Sequence, residues 1–217
     1  MEREGVTKYS ARHTTRALDE ARHGESVRAL DAWRSVVRDV GGIGQNPARY
    51  DGVGFGNASV RVGPRTASRG SRAFLITASQ TGALARVALD SVALVVRWSF
   101  RDFALESEGP LPPSSEALTH ATVYDAAPNA RAVLHGHLPE VFRAARALRL
   151  PTTDGRAAYG TPEMADEVAR LFRETTLEVG RVFVMGGHED GVVAFGPSLD
   201  DAGASLVRAV AAARALS

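Results

Sequence analysis

The chain has 217 residues, of which 44% are hydrophobic and 24% are charged, with a formal net charge of +1 and no cysteine. This length and composition are typical of a soluble globular protein with one large domain, and no apolar run is long enough to cross a bilayer. The absence of cysteine excludes disulfides and thiolate metal sites, so any metal must be bound by histidine and carboxylate side chains.

The positive charges are scattered along the chain. Lys8 is the only lysine, and arginine supplies the other cations. The arginines alternate with acidic residues and form no stripe with aromatic residues, so we expect no nucleic-acid partner and no membrane partner. The first residues include acidic side chains and have no apolar core, which argues against a signal peptide and favours a cytoplasmic location.

The N-terminal segment, residues 1–25, is polar and weakly patterned, and we interpret it as part of a single domain over residues 1–217. Its histidines, His13 and His23, lie among arginines and are expected to be solvated rather than to bind a metal. Apolar residues then recur at spacings of three and four over residues 26–40, which predicts an amphipathic helix.

Two glycine- and small-residue-rich turns follow. Residues 51–62 read as a glycine-rich turn that leads into an alternating strand, and residues 73–77 read as the hairpin partner of that strand. Glycines allow backbone N–H groups to converge on an anion, and the side chains of Asn57 and Ser59 can add donors. Residues 78–82 form a second turn of this kind. A ligand-free β-turn is the alternative for each turn alone, but two of them at neighbouring strand ends favour an anion site.

A further strand is predicted at residues 89–98, and an acidic, proline-bearing loop at residues 100–113. The chain then enters a helix that runs to about Ala126, with Ser114 or Ser115 as its N-cap.

Glu116 and His120 are four residues apart in this helix and therefore share one of its faces. A glutamate in the first turn of a helix commonly complements the helix dipole and needs no further role. The next segment, however, carries two histidines, so a role for Glu116 at a metal site is the alternative. We expect His120 to pack beneath that site rather than to be a ligand.

The two histidines stand at the end of an apolar run over residues 132–137. Successive side chains of a strand point to opposite faces, so His135 and His137 share one face. Pro139 fits the first turn of a following helix, predicted to reach Leu150, because its missing N–H would have no partner there. Such a pair also occurs in ordinary cores and on surfaces, so the pair needs further ligands to indicate a site.

The last third of the chain supplies another histidine. Thr161 is predicted to cap a helix, and two strands follow at residues 181–185 and 192–195, joined by a polar turn that contains His188. Ser198 is predicted to cap a final alanine-rich helix. Three imidazoles and the carboxylate of Glu116 suit a divalent metal that keeps a position for substrate, which indicates a catalytic ion rather than a structural one.

These motifs together resemble the class II aldolase/adducin family. The resemblance extends from about Trp33 to the end of the sequence. It rests on residues 56–61, 75–77 with 81–82, 113–116, 135–137, 160–164, and 188 with 191.

The resemblance implies an α/β (α+β three-layer) fold with a central, mainly antiparallel β-sheet flanked by helices. It implies that His135, His137 and His188 bind Zn²⁺ or another divalent ion such as Mn²⁺, Co²⁺ or Fe²⁺, and that Glu116 is the catalytic acid/base and an exchangeable ligand. The residues implied in binding the substrate phosphate are Asn57, Thr81, Gly82, Ser114 and Ser115, to which the pattern of donors adds Ser59.

The activity implied is that of a metal-dependent lyase of the aldolase type, which forms or cleaves a C–C bond in a sugar-phosphate-like substrate through an enediolate. Epimerisation, dehydration or decarboxylation at the same site are alternatives, and a non-catalytic, adducin-like interaction module is an alternative of another class. The family also implies a homo-oligomer, commonly a tetramer, with the site at a subunit interface.

The sequence departs from the family pattern in three places. The turn after Thr77 is longer than usual, and the segment from His188 to Gly191 is two residues longer. Relatives also carry a C-terminal tail with a tyrosine acid, and this sequence ends before such a tail. Tyr159 is therefore the candidate proton donor.

Overall fold

The computed structural model describes residues 6–216 as a mixed α/β structure. Residues 1–5 and Ser217 lie outside the described residues. The start of the segment that argued against a signal peptide is therefore also outside them. The strands are β1 (Ser10–Thr15), β2 (Gly44–Gln45), β3 (Gly54–Phe55), β4 (Asn57–Arg61), β5 (Phe74–Thr77), β6 (Val92–Ser99), β7 (Ala104–Gly109), β8 (Ala132–His137), β9 (Val182–Val184) and β10 (Gly191–Gly196). The helices are α1 (Glu20–Asp39), α2 (Ala117–Ala126), α3 (Pro139–Ala144), α4 (Pro162–Glu174), α5 (Leu177–Gly180) and α6 (Leu199–Arg214).

One large sheet organises the molecule. Its eight strands lie in the order β1-β7-β6-β5-β4-β8-β10-β9, and β2 pairs with β3 in a separate ribbon. Within the large sheet β1 and β7 are parallel, and the other neighbours are antiparallel. The prediction of a mainly antiparallel sheet is confirmed, as is the hairpin of β4 with β5.

Helices cover both faces of this sheet. Val133 of β8 belongs to a core that includes buried residues of α2 and α4, whereas its neighbour Leu134 belongs to a core that includes residues of α1 and α6. Each fully buried side chain of this size contributes about 1.5–3 kcal/mol of transfer free energy. His135 and His137 continue the face of Val133, so both imidazoles point to the side of the sheet that carries α2.

The N-terminal prediction was wrong in two respects. Strand β1, for which no prediction was made, lies within the weakly patterned segment 1–25, and α1 begins at Glu20 rather than residue 26. The side chain of Asp19 caps this helix by accepting hydrogen bonds from the N–H groups of Ala21 and Arg22. His23 lies on the buried face of α1 and is only 4% exposed, so the expectation of a solvated side chain was also wrong.

Part of the acidic loop expected at residues 100–113 is strand β7, Ala104–Gly109. Its buried residues alternate as Leu105, Ser107 and Gly109, which is the pattern of a strand with one covered face. The helix expected to reach Leu150 ends at Ala144.

The predicted helix starts differ in outcome. The side chains of Thr161 and Ser198 accept hydrogen bonds from the N–H groups of Met164 and Asp201, which confirms both caps. The N-cap of α2, in contrast, is Glu116 rather than Ser114 or Ser115.

None of the described helices combines the length and the apolar character needed to span a membrane.

Candidate metal centre and anion-binding turn

His135 and His137 are held by the centre of the sheet. Strand β8 pairs on one side with β4, where Asn57 lies opposite His135, and on the other with β10, where Gly191 lies opposite His137. Both imidazoles are buried, and their ring centroids are 5.1 Å apart. Hydrogen-bonded pairing with a strand on each side therefore fixes the backbone of both histidines.

His188 completes a cluster with these two histidines. It lies in the turn between β9 and β10, with its ring centroid 5.1 Å from that of His135 and 4.7 Å from that of His137. The three side chains each offer a nitrogen ligand, and these atoms all lie within 4.8 Å of one another. Among residues 6–216 this is the one such group of three or more metal-ligating side chains.

The environment keeps the imidazoles of β8 neutral. Burial, and next the neighbouring His188, hold the pKa of His135 and of His137 well below the usual value for histidine. The Nδ1–H of His135 donates to the carbonyl of Val192 at 3.2 Å, which leaves its Nε2 with a lone pair. That Nε2 is buried and has no hydrogen-bond partner in the described part of the chain. A neutral imidazole oriented by a backbone carbonyl is the form that binds metals.

Glu116 reaches this cluster from the start of α2. Its Oε1 lies 3.6 Å from Nδ1 of His188, and both side chains are buried. The carboxylate stays outside the group of mutually close ligand atoms. It is thus placed beside the three histidines, where a group that moves a proton to or from a bound substrate is needed.

A small cavity beside Glu116 contains most of the predicted phosphate-binding residues. Five of the six line it, together with Glu116: Asn57, Thr81, Gly82, Ser114 and Ser115. The side-chain hydroxyl of Thr81 donates to the carbonyl of Ala78 at 2.8 Å and so folds the turn back on itself. The Oδ1 of Asn57 is buried and has no hydrogen-bond partner among the described residues.

Ser59 and His120 occupy a different position. The hydroxyl of Ser59 lies 2.7 Å from Nδ1 of His120 and 2.7 Å from the hydroxyl of Tyr124, and it does not line the cavity. His120 is fully buried, and burial lowers its pKa to about 3. It stands outside the histidine cluster, in keeping with the expectation that it packs beneath the site.

Tyr159 lies against the cluster through its ring. The ring stacks on that of His188 with a centroid distance of 4.6 Å, and the hydroxyl accepts a hydrogen bond from the N–H of Val6 at 3.2 Å. The ammonium group of Lys8 donates to the carbonyl of Tyr159 at 3.0 Å and lies 4.0 Å from its ring centroid. The N-terminal segment therefore covers this side of the site.

Three residues beside the cluster were not predicted. The Tyr50 hydroxyl donates to Asp190 at 2.7 Å, and the Tyr50 ring packs edge-on against His137 with centroids 4.5 Å apart. The guanidinium of Arg49 lies 3.4 Å from the same carboxylate. Together with His188 these residues line a cleft of about 910 Å³. The position of Asp190, two residues after His188, was the available signal, but Arg49 and Tyr50 come together with it only in the fold.

The donor set fits a divalent ion. Three buried, converging imidazoles, two of them with depressed pKa values, match the ligands of a catalytic metal site, and the unpartnered Nε2 of His135 supplies a lone pair for it. Asn57, Thr81 and Gly82 lie in the neighbouring cavity, so a substrate that spans both places can meet the metal with one end and the turn with the other.

Comparison with solved structures shows the same fold in three aldolase-related proteins. L-fuculose-1-phosphate aldolase from Thermus thermophilus has 22% identity and a TM-score of 0.60, with 88% of this chain and 91% of that chain covered. Sugar-phosphate aldolase from Thermotoga maritima has 16% identity and a TM-score of 0.66, with 88% and 93% covered. The N-terminal class II aldolase domain of a conserved protein from Thermoplasma acidophilum has 16% identity and a TM-score of 0.58, with 88% and 92% covered.

A search of curated protein sequences gives no match. The model of the family described as class II aldolase and adducin N-terminal domain matches residues 48–216, which is most of the chain. The chain therefore belongs to the class II aldolase and adducin N-terminal domain family.

Proposed function

We propose that this chain is a metal-dependent lyase of the aldolase type that acts on a small, phosphorylated hydroxy-carbonyl compound. The observation that carries the proposal is the convergence of His135, His137 and His188, with ligand atoms within 4.8 Å of one another and the Glu116 carboxylate 3.6 Å from His188. A protein that serves only as a scaffold has no need for such a group of buried, converging imidazoles.

Each of these residues has a distinct task in the proposed reaction. The three histidines hold the metal, either zinc or another divalent ion, which as a Lewis acid stabilises negative charge that develops on a carbonyl or hydroxyl oxygen. Glu116 takes the proton from the substrate carbon or returns it, because its buried carboxylate lies beside the cluster and not within it. Tyr159, whose ring lies on His188, is the proposed group that donates a proton to the aldehyde oxygen during condensation and takes that proton back during cleavage.

The anion-binding cavity supports a phosphorylated substrate. It is lined by Asn57, Ser114 and Ser115 and by the turn at Thr81 and Gly82. Hydroxyl, amide and backbone N–H donors without a carboxylate other than Glu116 favour a phosphate group over a cation.

Related reactions would use the same residues. Epimerisation, dehydration and decarboxylation differ from aldol cleavage in which group leaves the substrate or rotates within it. They are therefore outcomes of the test below. A non-catalytic, adducin-like module is its remaining outcome.

We also propose a homo-oligomer with the site near a subunit boundary, for which light scattering is the measurement.

The test combines metal analysis with product mass. Protein purified in zinc-containing buffer is assayed for metal content and then incubated with a panel of ketose phosphates and with aldehydes plus dihydroxyacetone phosphate. Two fragments, or a condensation product, indicate a lyase, whereas an unchanged mass with altered chromatography, loss of water, or loss of carbon dioxide indicates the related reactions. A folded protein that retains no metal and converts nothing contradicts the proposal and leaves the interaction module.

A further inference from the structure

Arg34 lies behind the anion-binding turn and is almost completely buried. It belongs to α1, and its side chain is among the largest fully enclosed ones, with the residue 1% exposed. Its Nη2 donates to the carbonyl of Thr81 at 2.8 Å and to that of Gly82 at 3.2 Å. The family model matches residues 48–216, and Arg34 lies before this range.

Arg34 forms no direct ion pair with a carboxylate of the described residues. Among residues 6–216, no carboxylate oxygen lies within 4.0 Å of its guanidinium, and its Nη1 has no hydrogen-bond partner. Asp31, one turn earlier, is hydrogen-bonded instead to the side chain of Arg86 and to the N–H of Val87. Burial lowers the pKa of Arg34, and the nearby charge of Asp31 opposes this shift. A buried cation without a direct ion pair is costly, so an anion bound nearby would stabilise it.

The hydrogen bonds of Arg34 also determine which way the turn faces. The peptide bonds of the described residues are all trans, so the N–H of a peptide unit points away from its C=O. With the Thr81 carbonyl directed at Arg34, the N–H of Gly82 is directed away from Arg34, and Gly82 is one of the residues that line the cavity. This N–H donates no backbone or side-chain hydrogen bond within the described part of the chain. A side chain at residue 82 would place its Cβ 2.4 Å from the carbonyl oxygen of Gly44, so the approach requires glycine.

We propose that Arg34 is a positioning residue of the phosphate site: it anchors the carbonyls of Thr81 and Gly82 so that the amide of Gly82 faces the phosphate, and it supplies the buried positive charge that balances the bound anion. The inference rests on the proposed function, because it requires that the substrate carry a phosphate group. Arg34 acts through the turn, and it accounts for how the longer turn of this chain can still bind an anion.

The test uses inorganic phosphate as the probe. Binding to wild type, Arg34→Gln, Arg34→Lys and Arg38→Gln is measured by calorimetry and by ³¹P NMR. Arg38 is the matched control, because it lies one turn later on α1 and donates to the carbonyls of Leu84 and Ala85, but is only half-buried. We expect Arg34→Gln to weaken phosphate binding by about tenfold or more, as for the loss of a charge-assisted hydrogen bond. Arg34→Lys should recover part of this loss, and Arg38→Gln should stay within about twofold of wild type.

Two further measurements separate positioning from general damage to the fold. The d–d absorption of Co²⁺ bound at His135, His137 and His188 should be unchanged in the Arg34 variants, because these ligands lie on other elements. In the wild type, phosphate should shift the NMR signals of the Gly82 amide and of the Arg34 Nε–H at the same concentration, a result that needs no variant to fold.

The outcomes distinguish this inference from the proposed function. If wild type binds phosphate while Arg34→Gln binds equally well, or if the Arg34 signal does not move, the role of Arg34 is wrong and the phosphate site stands. If wild type binds no phosphate, the phosphorylated substrate class is wrong, and the role of Arg34 falls with it.

Discussion

Helix α2 carries a buried acidic side chain at each end, and the two surroundings differ in how completely their polar groups are paired. At the C-terminal end, Asp125 accepts hydrogen bonds from the N–H of Gly70 at 3.2 Å and from the indole of Trp98 at 2.9 Å. It also lies 3.7 Å from the guanidinium of Arg72. No buried, unpartnered side-chain atom is found for Asp125, Trp98 or Arg72.

At the N-terminal end, Glu116 lies in a wider group of buried polar side chains, which we call the open cluster and which adds His120 and Asn57 to the histidine cluster. Nε2 of His135, Nε2 of His120 and Oδ1 of Asn57 are buried without a hydrogen-bond partner in the described residues. Buried polar atoms are normally paired, and leaving one unpaired costs about 1–3 kcal/mol. The comparison teaches that a closed polar network stabilises the fold, whereas a cluster that tolerates unpaired atoms indicates a ligand.

The most severe way to break the open cluster is to remove a ligand. We expect His135→Ala to reduce bound metal from about one ion per chain to a trace, because two imidazoles rarely retain a catalytic ion. Turnover should fall with it to background. The measurement is elemental analysis after gel filtration, with His13→Ala as the control, since His13 bonds Ser107 and Gly109 far from the site. Metal content equal to wild type in His135→Ala would remove this residue from the ligand set.

Replacing the acidic side chain of the same cluster should separate metal binding from proton transfer. Glu116→Gln keeps the shape and leaves the three-histidine group intact, so we expect normal metal content with turnover lowered by about 10²–10⁴-fold, the usual contribution of a general acid/base. Glu140→Gln, on the exposed side of α3, should change neither. An active Glu116→Gln variant would contradict the assignment of the base.

Removing the metal by chelation tests whether the open cluster is stabilised by its ligand. A ligand that binds only the folded state at about 1,000 times its Kd adds roughly 4 kcal/mol to the free energy of unfolding, so the Tm should fall on dialysis against EDTA and recover with zinc. His135→Ala is the control, because its Tm should not respond to either treatment. Equal shifts in both proteins would mean that the chelator acts elsewhere.

A change in the closed network of Asp125, Trp98 and Arg72 should alter only the stability of the fold. Trp98→Phe removes the indole donor to Asp125 and shrinks a buried ring, so we expect the free energy of unfolding to fall by about 1–3 kcal/mol in urea denaturation. Metal content and turnover should be unchanged, because the network lies at the other end of α2. Loss of metal in this variant would show that the two ends of the helix are coupled.

Local signals made a large part of this arrangement predictable. Hydrophobic patterning identified β5 and β8, and single side chains identified the helix starts at Thr161 and Ser198, because caps depend on neighbours within one turn. The two histidines of β8 share a face for the same local reason. His188 by itself reads as a residue of a polar turn, and it became a candidate ligand through the pair on β8 and then through the likeness to one family.

Long-range pairings account for what the sequence did not predict. Strand β1 is polar and mostly exposed, and its pairing with β7 joins residues about ninety positions apart. Arg34 reads as an ordinary charged residue of an amphipathic helix, and its burial depends on a turn at residues 81–82. Propensity and periodicity contain no information on such contacts, because tertiary packing decides them.

The order in which the metal ligands occur along the chain has a consequence for biosynthesis. His135 and His137 lie on β8, but His188 precedes β10, whose Gly191 pairs with His137. A nascent polypeptide that has emerged from the ribosome only as far as residue 180 holds two of the three imidazoles, and it lacks the strand that encloses them. An ion that needs all three histidines would therefore be bound only after His188 and β10 have been synthesised.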